Sequence, residues 1–385
     1  MNLRKYKSVK ERRAALQKEL GVDLSHIGTF TVDESVASAR NCENMIGAAQ
    51  IPLGVAGPLK VCRASGGECR ELYIPLATTE GALVASVSRG CKAIAQSGGA
   101  TVDSYLVGTT RGAAFEVKNL AASEALNVYL QDNLEELKNE AKKTSGHLTL
   151  KSIFSRGVGR QRYIRFVFDT KDAMGMNMAT IAATHLCTFL EEKTGARCVA
   201  VAGNYDVDKK PSWLNVIEGR GRKVWAEAVI PVSVLRDTLK TTAKAVCDVW
   251  LAKCMLGSAM SGSMGFNAHY ANIVAALFLA TGQDPAHVVE GSMGITTCEA
   301  MGEDLYISIH IPDLMVGTVG GGTGLATQQE ALSLLGVAGG DEGKNATALA
   351  EIVAGAVLAG ELSLLASLSE GTLATAHKKL ARGGK

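Results

Sequence analysis

The sequence predicts an α+β fold, and three observations carry that prediction. Between about residues 101 and 202 the apolar runs follow the order strand, helix, strand, strand, helix, strand, which suggests a compact two-layer insert on an antiparallel sheet. From about Ser261 to Ala280 an Ala/Ser/Gly-rich stretch reads as one long helix. Its small residues allow close packing, and it is expected to centre a larger, mainly helical domain with a mixed sheet. Finally, no Gly-x-Gly-x-x-Gly follows a strand, and Gly339 to Lys344 fails the Walker pattern, so an ordinary Rossmann site or P-loop is disfavoured.

The elements follow in order. Met1 to Leu20 carries seven basic and two acidic residues and reads as a short surface helix; a second helix starts at Asp33 and runs to Arg40. Ile51 to Leu59, punctuated by Gly and Pro, reads as short extended pieces. Glu71 to Ala77 reads as a strand and Ala82 to Ala95 as a helix. Strands follow over 101–118, an exposed helix over Ser123 to Lys142, and strands at Leu148 to Ile153 and Tyr163 to Phe168. Asp172 to Met178 leads into a helix ending near Lys193, and Cys198 to Ala202 is a further strand. Beyond Pro211 come a strand (Val224 to Ile230), a helix (Ser233 to Leu256), the small-residue helix, a strand (Asp304 to Ile309), a glycine loop (Gly317 to Gly324) opening a helix, and a long apolar helix from Asn345 to Ser369.

Composition bounds the function. The 385 residues suffice for two or three domains, and 47% hydrophobic residues supply a large core. Forty basic against 38 acidic residues leave +2, too balanced to argue for nucleic acid or an anionic membrane. Nine cysteines without a Cys-x-x-Cys pair suggest no metal site; with no secretory segment they fit free thiols in a reducing cytosol. The most apolar run, Ile352 to Gly360, is too short to span a bilayer, so a cytoplasmic protein is expected.

The residues that could carry chemistry stand in loops. Residues 202–211 (AGNYDVDKKP) deliver Asp208, Lys209 and Lys210 at the end of a strand, suited to a negative substrate or to charge that develops in a reaction. The plainer alternative is a solvated turn. Glu80 stands before a helix, where it can face a ligand or cap the helix. Asp284 follows a helix C-terminus, whose dipole tends to raise its pKa; capping of the turn at Pro285 is the preferred reading from the residues alone. By the same standard His377 reads as a surface histidine and His269 as a satisfied interior one. Gly317 to Gly324, and Gly175 with Asn177, offer backbone amides to a phosphate or a planar ring, or are tight turns.

Six separated stretches resemble the class I 3-hydroxy-3-methylglutaryl-coenzyme A reductases. They are Glu43 to Leu59 (ENMIG…GVAGPL), Thr78 to Ile94 (TTEGALVASVSRGCKAI), Asp172 to Met178 (DAMGMNM), Gly203 to Gly221 (GNYDVDKKP…IEGRG), Gly257 to Ala271 (GSAMSGSMGFNAHYA) and Gly317 to Thr323 (GTVGGGT). They run in order over about residues 40–380, and the soluble archaeal type is nearest. The resemblance implies NADPH-dependent reduction of 3-hydroxy-3-methylglutaryl-coenzyme A to mevalonate and coenzyme A. It implies an active site between subunits of a homodimer or a dimer of dimers. It also implies a ferredoxin-like NADP-binding domain at 112–201 within a substrate domain at 43–111 and 212–376. The loop 202–211 then connects them, 1–42 is an N-terminal helical segment, and 377–385 is a mobile tail.

By motif, the resemblance makes Glu80, Lys209, Asp284 and His377 the catalytic set. Arg111, Asp208, Lys210 and Asn267 match contacts to the substrate's carboxylate and hydroxyl, and Ser86, Arg89 and Lys240 match coenzyme A contacts. Asp172, Met174, Gly175, Met176 and Asn177 match the cofactor motif, with Gly320, Gly321 and Gly322 lining the nicotinamide. Three positions depart from the family pattern. Ala202 and Ser88 replace a serine and an asparagine, and Ser145-Gly146-His147 stands where many members carry a Ser-Arg pair for the 2′-phosphate, so only Ser145 remains. A class II, NADH-using reductase and a silent coenzyme A-binding protein are the rival readings. Motifs such as DAMGMNM and DKKP argue against the first, and four retained catalytic residue types argue against the second.

Overall fold

The computed structural model describes residues 2–371. Helix α1 (Val9–Leu20) begins with a capping box in which Ser8 and Glu11 satisfy each other's backbone N–H. Asp33 caps α2 (Glu34–Arg40), as its sequence predicts. There follow β1 (Leu53–Arg63), β2 (Arg70–Ala77), α3 (Leu83–Gln96), β3 (Ala100–Glu116), α4 (Leu120–Asp132), α5 (Leu134–Lys142), β4 (Thr149–Val158), β5 (Gln161–Asp169), α6 (Met176–Thr194) and β6 (Arg197–Ala200). The remainder is α7 (Trp213–Glu218), β7 (Arg220–Ile230), α8 (Ala243–Trp250), α9 (Tyr270–Thr281), β8 (Ile295–Met301), β9 (Asp304–Leu314), α10 (Ala326–Leu334) and α11 (Lys344–Ser369).

Strand β3 organises the chain, because its two halves serve two sheets. Its first half pairs in parallel with β1 and antiparallel with β7, within the order β2-β1-β3-β7-β9-β8. Its second half, from Thr109, pairs antiparallel with β5 and β6, giving the order β4-β5-β3-β6. The predicted strand–helix–strand–strand–helix–strand insert is therefore present, with its helical layer (α4, α5, α6) over its own core of Phe115, Leu126, Leu137, Phe166, Leu186 and neighbours. The predicted helix over 123–142 is two helices that meet at Asn133.

Around the first sheet the expected, mainly helical domain is corrected. It is a six-stranded mixed sheet, and the helix at its centre is α11 rather than residues 261–280. Along β7, Val224, Ala226, Ala228 and Ile230 are buried while Trp225 and Val229 are exposed, so one face of the sheet lies on the core. By length and composition the 26-residue α11 could cross a membrane, yet 83% of its most apolar window is buried inside the protein. The apolar run at 352–360 is the middle of this core helix. A Cβ at Gly90 of α3 would strike the backbone of Ala359, which is how the two helices approach so closely.

The long helix predicted over 261–280 is also corrected. Residues 262–269 leave the helix, and α9 starts only at Tyr270. The cause lies far along the chain: the buried carboxylate of Glu361, on α11, accepts the amides of Ala268 at 2.8 Å and His269 at 2.7 Å. His269 Nε2 meets the Gly360 carbonyl at 2.8 Å, so it is the satisfied interior histidine expected. The single helix predicted over 233–256 breaks at Lys240, whose φ is 60°. Likewise the cysteines are not all free thiols. Cys62 and Cys69, near the facing ends of the β1–β2 hairpin, form a disulfide, and seven thiols remain.

Candidate active site

Loop 202–211 is anchored at both ends. The Gly203 amide donates to the Gly112 carbonyl at 2.6 Å, so the loop leaves the insert beside β3. Within it Asn204, Val207 and Lys209 all have positive φ, of 62°, 51° and 58°. For Val207 and Lys209 this is an unfavourable backbone, held only by its surroundings. The Lys209 ammonium lies 2.7 Å from Asp284 Oδ2, and both side chains stay partly exposed, at 40% and 32%. Both residues belong to the set that the resemblance implies.

Asp284 caps the turn that follows it, accepting the Ala286 amide at 3.0 Å, as preferred from the sequence. The expected rise in its pKa is corrected. Burial does push it up, but the Lys209 hydrogen bond, the Ala286 amide and nearby charge outweigh burial and hold it below the usual carboxylate value.

Behind this pair is a buried ionic cluster. The Arg220 guanidinium, fully buried at the start of β7, donates to Asp208 Oδ1 at 2.7 Å, Glu290 Oε1 at 2.9 Å and Thr110 Oγ1 at 2.9 Å. Arg111 on β3 holds Asp206 at 3.1 Å and lies 3.8 Å from Asp208. His287 sits 3.0 Å from Glu290 through Nδ1, while its Nε2 lies 3.8 Å from Asp284 and 3.9 Å from Asp208. Asp208, His287 and Glu290 bring ligand atoms within 4.8 Å of one another, as a metal site would. Arg220, bonded to two of them, already supplies the cation there.

At the far side of the cluster Asp313 is fully buried, accepting from Asn215 at 2.8 Å. Burial outweighs the pull of Arg220, and the carboxyl is held well above the usual range, with Glu290 adding to the rise. The folded chain thus binds this proton more tightly than the unfolded chain. The associated stability is full below an ordinary carboxylate pKa of about 4 and is lost as pH rises through the elevated one. Asp313→Asn should abolish that loss. Urea midpoints at acid and neutral pH should then show wild type losing ground to the variant as pH rises, and parallel curves would contradict this.

The glycine loops lie against the turn that carries Asp284. The Gly317 amide donates to the buried Gln283 side chain at 2.9 Å, and a Cβ at Gly282 would strike the Gly322 carbonyl. The turn bearing Asp284 therefore abuts Gly320–Gly322. The second loop, 172–178, is zipped to the first by a bridge between Ala173 and Val319, and a Cβ at Gly317 would strike Met174. Gly175 has φ 84° and opens α6. Met176 Sδ accepts from Arg220 at 2.9 Å, and Met174 O accepts from Thr109 Oγ1 at 2.6 Å. Asn177 stands in the first turn of α6, and the Ser145 hydroxyl reaches Met178 Sδ at 3.8 Å, beside that turn. Asp172 is buried, its carboxylate accepting the amides of Asp341, Gly343 and Ala346 at 2.6–2.9 Å. Its side chain fastens the motif to the start of α11.

Other predicted residues are dispersed. The exposed Glu80 accepts a side-chain hydrogen bond from Asn272 at 3.3 Å, and among the described residues no hydrogen bond or ion pair joins it to Lys209 or Asp284. Ser86 bonds Ser363 at 3.0 Å, and Arg89 bonds Ser363 and Ser367, so both tie α3 to α11. Lys240 is exposed between helices. Lys210 is exposed, with its ammonium 3.3 Å from Asn204. Asn267 donates to Ser292 at 3.0 Å and lines a cleft of about 750 Å³ with Pro211, Ser258, His269 and Met293. His377 lies outside the described residues. Sequence reasoning missed Asp206, Arg220, Gln283, His287 and Glu290. The i, i+3, i+6 spacing of Asp284, His287 and Glu290 is the one signal that could have found the last two.

A lysine–carboxylate pair set against two interlocked glycine loops, with a buried counter-charge network behind it, is the arrangement of an enzyme that handles developing negative charge beside a bound cofactor. The hydroxymethylglutaryl-coenzyme A reductase family model matches residues 8–382. The 3-hydroxy-3-methylglutaryl-coenzyme A reductase of Methanothermobacter thermautotrophicus is 48% identical over 379 residues, covering 98% of this chain and 94% of its own. That of Pyrococcus abyssi is 50% identical over 378 residues, with 96% and 92% covered. The NADPH-bound class II reductase of Streptococcus pneumoniae shares the fold at TM-score 0.69 and 20% identity, covering 95% of this chain and 98% of that one. The chain belongs to the hydroxymethylglutaryl-coenzyme A reductase family, and it is an oxidoreductase.

Proposed function

We propose that the protein is a class I reductase that converts (S)-3-hydroxy-3-methylglutaryl-coenzyme A to mevalonate and coenzyme A, with two NADPH consumed. The observation that carries this reading is the 2.7 Å Lys209–Asp284 pair abutting the Gly320–Gly322 loop. The class I assignment rests on the ENMIG, DKKP and DAMGMNM motifs.

The residues present fit a nicotinamide dinucleotide. A Cβ at Gly320 or Gly321 would meet open space, so a planar ring can lie against bare backbone there. The first turn of α6, opened by Gly175, offers amides to a phosphate. The insert at 112–201, whose sheet order is that of a ferredoxin-like fold, serves as the NADP domain. Bound NADPH supplies one hydride to the thioester carbon and, after replacement, one to the aldehyde carbon.

Lys209 stabilises the oxyanion that develops at the thioester oxygen, with Asp284 fixing its direction. The C–S bond then breaks, and His377 protonates the departing coenzyme A thiolate. Glu80 gives a proton to the aldehyde oxygen in the second reduction. Arg111, Asp208, Lys210 and Asn267 receive the substrate's carboxylate and hydroxyl, while Ser86, Arg89 and Lys240 receive coenzyme A.

Within one chain Glu80 is bonded to Asn272 and Lys209 to Asp284, with no hydrogen bond or ion pair between Glu80 and Lys209 among the described residues, and this is in keeping with a site completed by a second copy. The exposed Tyr105, Trp225 and Val229 on the first sheet are suited to such an association in the cytoplasm.

The test is steady-state oxidation of NADPH and of NADH with the authentic thioester. NADPH should be preferred, by a narrower margin than a Ser-Arg pair would give, because a bidentate arginine–phosphate contact is missing beside Ser145. Of Arg156 and Lys171, the two candidates to replace it, Lys171 adjoins the 172–178 motif, whereas Arg156 lies toward the far end of β4 from Ser145. A clear NADH preference would contradict the class I assignment.

A further inference from the structure

Glu290 is fully buried on a single helical turn, Val288–Gly291. Its Oε1 gathers the Lys209 backbone N–H at 2.7 Å, Arg220 Nη1 at 2.9 Å and His287 Nδ1 at 3.0 Å. Its Oε2 has no hydrogen-bond partner among the described residues. A buried carboxylate that leaves one oxygen bare and crowds three neighbours onto the other is poorly explained as a general stabiliser of the core. What it does achieve is local. Lys209 has φ 58°, which a side-chain-bearing residue keeps only when its surroundings hold it. Among the described residues its backbone N–H is held by Glu290 alone. The same Glu290 oxygen holds His287, whose Nε2 lies 3.8 Å behind Asp284 Oδ2. The cluster therefore supports both halves of the ion pair: the backbone of the lysine and the rear of the aspartate.

We propose that Glu290 is a positioning residue for the reduction, its Oε1 clamping Lys209 in a left-handed conformation so that the ammonium stays on Asp284 and meets the developing oxyanion. This rests on the reading of Lys209 as the catalytic cation. Because the clamp acts on geometry at the reacting oxygen rather than on the substrate's remote parts, its loss should appear in kcat and not in KM.

The experiment uses the full chain with NADPH and the authentic thioester, comparing Glu290→Ala, Glu290→Gln and Lys209→Ala. Glu290→Ala should lower kcat about 30-fold while both KM values stay within about threefold. Glu290→Gln keeps an oxygen able to accept the Lys209 amide and should recover about tenfold of that loss. Any of four results overturns the clamp. The first is a folded Glu290→Ala enzyme with near-normal kcat, and the second is a KM that rises in step with the fall in kcat. The third is a Glu290→Gln enzyme no better than Glu290→Ala. The fourth is failure of both variants to fold by circular dichroism, which would assign Glu290 to the core. Near-normal kcat in Lys209→Ala would instead sink the catalytic role of the lysine, so the two failures are distinguishable.

Discussion

Lys209→Ala should lower kcat by about a hundredfold or more while leaving the fold intact and KM for the thioester little changed. The ammonium is held by Asp284 at 2.7 Å and remains 40% exposed, so it is both aimed and available. Its charge matters most when the carbonyl oxygen becomes an oxyanion, and an interaction made mainly in the transition state is lost from kcat. Removing the side chain does not remove the backbone bond to Glu290, so the loop should keep its path. Lys210→Ala should do the opposite. Its ammonium is exposed and lightly held by Asn204, as suits a contact to the substrate's carboxylate that acts in ground and transition states alike. It should raise KM and spare kcat. Steady-state kinetics of the two variants, with circular dichroism as the control, checks both, and near-normal kcat in Lys209→Ala would remove the loop from the chemistry.

His377→Gln should cripple the reaction from the thioester yet largely preserve NADPH-dependent reduction of mevaldehyde. The job assigned to the histidine is protonation of the coenzyme A thiolate, and free mevaldehyde has no thiolate to release. Glu80→Gln should damage mevaldehyde reduction instead, because it removes the proton source for that step. A general acid is worth about a hundredfold or more, so both losses should be plain. Equal loss of the two activities in His377→Gln would point to a structural role, and no loss in either to a surface histidine.

Much of the fold and site was legible in sequence where the signal is local. The insert's strand–helix order, the Asp33 cap, the Val224 to Ile230 strand and the Asp172–Met178 turn into α6 all depend on residues within a turn or two. The misses with the largest effect on the site are long-range. Residues 262–269 have helical composition, but Glu361, 92 positions from His269, takes the amides of Ala268 and His269. The Gly and Pro residues made Ile51 to Leu59 read as separate short extended pieces, whereas Gly57 and Pro58 lie within a register shift of a continuous strand. Cys62 and Cys69 carry no motif spacing and meet because the hairpin folds back on itself. At the site, the lysine loop and the glycine loops announced themselves by unusual residues. Glu290 did not, since its partners Lys209 and Arg220 lie 81 and 70 positions away.

The stoichiometry of a single assay tests the central claim most directly. If one site carries out both hydride steps, two NADPH should be oxidised for each coenzyme A thiol released from 3-hydroxy-3-methylglutaryl-coenzyme A, with mevalonate as the product. One NADPH per thiol, with free mevaldehyde accumulating, would contradict it.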